Sequence, residues 1–135
     1  MKTITPTNHK KLKIFIICTV RKASLEYTDM LFKYVKGLED LGHTVHLPPR
    51  DTNQIDDTGF NICTDNFEAI LNSDEVHIFY NPDSQGTHFD LGMVFAIVAL
   101  YPILETKIKI VPIELPEFKP GKNFPNMILE WQKRQ

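Results

Sequence analysis

Four short apolar runs, each followed by a longer stretch of helical period or polar loop, restrict this chain to few folds. Leu12 to Val20 (LKIFIICTV), His43 to Leu47, Glu75 to Tyr80 and Ile108 to Ile113 are rich in β-branched and aromatic residues, which predicts strands. The first has no polar alternation, as expected of a strand covered on both faces. Between the runs, Ser24 to Leu41 carries Leu25, Leu31, Phe32, Val35 and Leu38 near helical period. Ser24 is a natural N-cap there, Glu26 favours the first turn, and Gly42 stops the helix. Asn61 to Asn72 predicts a second helix, with Ile62, Phe67, Ile70 and Leu71 turned inward. Thr87 to Leu100 predicts a third, apolar nearly all round and therefore expected to be buried. Phe124 to Trp131 predicts a short last one.

Strand-helix alternation of this kind favours an α/β domain with a doubly wound, mostly parallel sheet, flavodoxin-like, of four or five strands with helices on both faces. The expected strand order is 2-1-3-4. The 135 residues suit one domain over 12–135 preceded by a flexible segment 1–11, and 42% hydrophobic content is enough for a core without staples. A net charge of -2 gives no electrostatic case for nucleic acid or a membrane surface as partner. Cys18 and Cys63 sit in apolar surroundings and read as reduced core residues. With no apolar run long enough to span a bilayer and no signal-like start, a cytoplasmic location is expected. There is no Walker loop, no GxGxxG and no GxSxG, and His43, His46, His77 and His88 lack metal-ligand spacing. No cofactor or metal is expected.

In such sheets ligands bind beyond the carboxyl ends of the strands, where strand order reverses. That gathers Thr19 to Ser24, Pro48 to Gly59 and Asn81 to Asp90. The most informative stretch is SQGTHFDLGMVFA, Ser84 to Ala96, where a turn opens a helix and directs free N–H groups at the cleft. Asp90 then falls one turn inside an otherwise apolar helix, where a carboxylate is costly unless it is paired or used. Thr87-x-x-Asp90 also matches a capping box, in which Asp90 would bond back to the helix start. Arg21 could grip a phosphate bidentately, or be a solvated surface charge. Asp65 and Asn66 fit a polar helix face, though Asn66 could look into the cleft. Asp51, Asn53, Gln54, Asp56 and Asp57 could bond a ribose or base edge, or form an ordinary wet loop.

Taken together, IFIICTVR (Ile14 to Arg21), NFEAILNSDEVHIFY (Asn66 to Tyr80) and above all SQGTHFDLGMVFA resemble the nucleoside 2-deoxyribosyltransferase-like superfamily, nearest its 2'-deoxynucleoside 5'-phosphate N-hydrolase branch. The resemblance spans roughly Lys13 to Pro112. It implies cleavage or transfer at a nucleoside N-glycosidic bond by a carboxylate nucleophile, with retention through a covalent sugar-enzyme intermediate. It implies Asp90 and Asn66 as the catalytic pair. Phe15, Thr19, Arg21, Asp51, Ser84, Gly86 and Thr87 are the expected substrate contacts, Ser84 matching a serine used for the 5'-phosphate. It also implies a nucleoside or nucleotide partner and a homodimer. Asp90 stands where the family has Glu, which withdraws the carboxylate by roughly 1 Å. Asn66 stands where the family has a second acid, and Phe15 where active members carry Tyr. These departures leave a second reading beside the enzyme: a module of the same fold that binds a nucleotide without cleaving it.

Overall fold

The computed structural model describes residues 10–114 and 116–135, so the expected flexible segment 1–11 lies outside the described residues except for Lys10 and Lys11. In chain order the elements are β1 (Lys13–Ile17), α1 (Leu25–Asp40), β2 (Thr44–His46), α2 (Pro48–Asp51), α3 (Phe60–Leu71), β3 (Glu75–Phe79), α4 (Gln85–Ala99), β4 (Lys109–Glu114) and α5 (Phe124–Lys133). The four strands form one parallel sheet in the order β2-β1-β3-β4, as the alternation of runs led one to expect.

The missing polar alternation of β1 has a direct structural cause. Ile14 and Ile16, with Cys18 just beyond the strand, pack against Leu31 and Val35 of α1. Phe15 and Ile17 face the other way, onto Ile70 of α3, Leu91, Val94 and Ile97 of α4, and Ile128 and Trp131 of α5. Each such side chain contributes roughly 1.5–3 kcal/mol when fully buried. Helices therefore cover both faces, α1 on one and α3, α4 and α5 on the other.

Three expectations change. Leu25 and Phe32 of α1 and Phe67 of α3 are exposed, because the buried stripe of each helix is narrower than its apolar content. α4 is apolar all round but lies as an outer layer, so Leu91, Val94 and Ile97 are buried while Phe89, Phe95 and Leu100 meet solvent. Pro48-Pro49 does end β2, but it also starts the single turn of α2, with proline at a first-turn position that needs no N–H donor. Among the described residues no helix is long and apolar enough to cross a membrane.

Candidate active site

Beyond the carboxyl ends of β1 and β3, where the strand order reverses, a cleft of about 730 Å³ opens. One wall is the loop from Cys18 to Lys22, another is the start of α4, and the third is α3. The α3 wall is built by Gly59, Ile62, Cys63 and Asn66, at i, i+3, i+4 and i+7 of one helical face. The loops are tied together at the base of the cleft. Asn81 Nδ2 donates to Thr19 Oγ1 at 2.9 Å, and Thr19 N donates to the Tyr27 hydroxyl at 3.1 Å.

Asp90 is the buried carboxylate of this cleft, 7% exposed, while Asp83 stands at the exposed rim. Burial pushes the Asp90 carboxyl up to about 7, and the Asn66 side chain, which lines the same cleft, opposes that rise. The capping-box alternative does not form. α4 begins at Gln85, and Ser84 is its N-cap, its hydroxyl accepting from Thr87 N at 3.2 Å. Asp90 thus lies more than a turn inside the helix and faces the cleft instead of the helix start.

The anion-binding features are present. The cap takes Thr87 N and the Ser84 carbonyl takes His88 N, so the N–H groups of Gln85 and Gly86 remain at the helix start, where both residues line the cleft. A Cβ built on Gly86 would meet nothing within 4 Å, so the backbone there is open to a ligand. The Ser84 hydroxyl accepts from the helix and keeps its own proton for donation. The turn is braced by His88, whose Nδ1 contacts the Ser84 carbonyl at 2.7 Å and whose Nε2 contacts the Tyr80 hydroxyl at 2.9 Å. Opposite, Arg21 and Lys22 line the mouth, and among the described residues neither is in an ion pair. Lys22 holds a left-handed backbone, φ 56°, at this loop.

Asp90, Asn66, Thr19, Arg21, Ser84 and Gly86 thus share one cleft, whereas Phe15, Asp51 and Thr87 do not line it. Phe15 is wholly buried in the core and stacks on His46, ring centroids 5.3 Å apart. Asp51 accepts from Leu47 N at 2.8 Å and pairs with Arg50, which already explains its charge; partial burial raises its carboxyl, but Arg50 and the Leu47 N–H outweigh that and hold it below the usual range. Thr87 is fully buried in the first turn of α4, its Oγ1 the one buried side-chain nitrogen or oxygen among the described residues without a hydrogen-bond partner. Most loop polar groups are internally satisfied as well: Asn53 Oδ1 accepts from Ile55 N, and Asp56 accepts from Ile62 N and Thr58 N. Gln54 lines the cleft, its Nε2 donating to the Pro48 and Thr52 carbonyls at 3.0 and 3.2 Å, while its side-chain carbonyl oxygen has no partner among the described residues.

Some contributors were not anticipated. Both cysteines are free, as expected, but both also line the cleft, and Cys63 is only partly buried. Burial and then the neighbouring Asp90 push the Cys18 thiol up to about 12, so it is no nucleophile. The spacing Gly59-Ile62-Cys63-Asn66 was the available signal. Phe89 and Val20 supply apolar surface at the opening. Among the described residues no group of three His, Cys, Asp or Glu could hold a metal ion.

No family model matches this chain, and no curated protein matches it. Among solved structures the chain is similar to the Clostridium botulinum CMP N-glycosidase BcmB, with a TM-score of 0.45 and 15% identity, over 88% of this chain and 98% of that one.

Proposed function

We propose that the protein cleaves the N-glycosidic bond of a nucleoside 5'-monophosphate, with Asp90 as the nucleophile. The observation that carries this reading is a buried carboxylate, raised to about 7, that opens on a cleft whose other end holds a helix start and two cations, Arg21 and Lys22, without an ion pair among the described residues. One end suits a phosphate and the other an anomeric carbon. The ionised carboxylate attacks the anomeric carbon, an O–C bond forms, and the C–N bond breaks with its electron pair going to the base nitrogen, which takes a proton from solvent. Water then attacks the same carbon. The ester O–C bond breaks, the carboxylate is regenerated, and one proton returns to solvent. Asn66 cannot ionise or deliver a proton, so its part is to hydrogen-bond the carboxylate and the sugar. The Gln54 carbonyl oxygen favours a base that offers an N–H donor.

The test is incubation with a panel of nucleotides and nucleosides, followed by chromatography for free base. Base should appear from 5'-monophosphates and disappear in Asp90→Ala. No base from any substrate at high protein concentration overturns the reading. A second reading, binding without cleavage, is favoured by one observation: the side chain that shares the buried part of the cleft with Asp90 is an amide, Asn66, where a glycosidase would place an acid. It predicts a thermal shift with an unconsumed nucleotide, weakened by Arg21→Ala.

A further inference from the structure

We propose that Thr52 and His46, neither of which lines the cleft, are positioning residues that fix which end of the Asn66 amide faces Asp90. The inference rests on the reading of Asp90 as the reacting carboxylate and adds the machinery behind it.

Thr52 and Asn66 are both buried, at 4% and 6% exposure, and Thr52 Oγ1 lies 2.8 Å from Asn66 Oδ1. An amide oxygen can only accept, so Thr52 gives it its single hydroxyl proton. His46 Nε2 lies 2.8 Å from the same Thr52 oxygen. Since that proton is already committed, the imidazole must be the donor, which fixes a hydrogen on Nε2. Burial lowers His46 below its ordinary value, so this is the neutral tautomer at neutral pH. The ring is held flat against Phe15, with an interplanar angle of 10°.

The proton order therefore runs from His46 to Thr52 to the Asn66 carbonyl, and it leaves the amide NH2 as the group presented to Asp90. The opposite amide orientation would require His46 to carry its hydrogen on Nδ1 and accept from Thr52, and it would set a carbonyl against the ionised carboxylate. Two residues outside the cleft thus decide whether the carboxylate meets a donor or an acceptor. The sidedness matters because the donor favours the ionised form that attacks.

The experiment is a carbon-13 NMR titration of the Asp90 carboxyl in wild type, Thr52→Val and Thr52→Ser, with base-release kinetics on the same proteins. Thr52→Val should move the Asp90 midpoint upward and lower kcat roughly tenfold near neutral pH with KM little changed, the size expected for one buried hydrogen bond. Thr52→Ser should restore both. If Thr52→Val does not fold, His46→Phe keeps the stacked ring, removes the donor and should move the midpoint the same way. An unchanged midpoint in the folded variant overturns the proposal. The titration needs no substrate, so a moved midpoint without base release supports the relay and rejects only the glycosidase reading.

Discussion

Two buried titratable side chains in this fold respond to burial alike and differ in everything else. Asp90 on α4 is pushed up and His77 on β3 is pushed down, each mainly by desolvation and each toward its neutral form. His77 is saturated: its Nδ1 meets the Tyr34 hydroxyl at 2.5 Å and its Nε2 meets Glu75 Oε1 at 2.9 Å. It lines no part of the cleft. Asp90 has Asn66 on one side and open space on the other. A displaced titration therefore marks burial, and the unfilled side of the group marks the candidate site.

The sharpest way to break this contrast is to exchange the charge. Asp90→Asn should lower base release by on the order of 10³-fold or more while the fold persists. In wild type, activity should climb with pH through about 7 as the nucleophile ionises. Stability moves against activity here. The folded Asp90 keeps its proton to about 7 and an unfolded one only to 3.8, so the native state binds more protons across that interval and stability falls as pH rises through it. Thermal melts of Asp90→Asn between those limits should lack this decline. His77 has the opposite sign: its contribution is present above 6.5 and is lost as pH falls through the lower value of the folded state, and Asp90→Asn should leave that limb in place.

Next in size is Arg21→Ala, which should raise KM for 5'-monophosphates by about 10- to 100-fold, as loss of a charge-assisted hydrogen bond does, and leave bare nucleosides nearly unaffected. Tyr34→Phe probes the other region. It strands a buried imidazole nitrogen and should destabilise the protein by about 1–3 kcal/mol in denaturant melts with kcat unchanged. A drop in kcat there would mean the two regions are coupled. The smallest effect is expected of Gln54→Ala, about two- to fivefold in KM and confined to bases that offer an N–H donor.

Much of this was legible in the sequence because it depends on period and topology. The unbroken apolar character of IFII announces a strand covered twice, and a sheet of order 2-1-3-4 carries the residues after β1 and β3 to one edge. Asp90 stood out as a charge in an apolar helix. What was hidden depends on competition between equivalent local choices. Ser84 and Thr87 can each cap a helix, and the fold starts α4 at Gln85 with Ser84 as the cap and Thr87 buried in the first turn. Asp51 read as a ligand contact because it sits on a long polar loop; the fold instead turns the Arg50 guanidinium onto Asp51 and Glu39. The Thr52-Asn66 contact joins residues 14 apart through the unforeseen turn of α2, and no local pattern encodes it.

Lys22 gives the loop at the cleft mouth a left-handed kink that a side chain adopts only at a cost of about 1–2 kcal/mol. Lys22→Gly would relax that tension and at the same time multiply the shapes the empty loop visits. Relief of strain and loss of freedom on folding therefore oppose each other at this one position, while the cationic rim of the glycine variant would stand ready for an arriving anion less often.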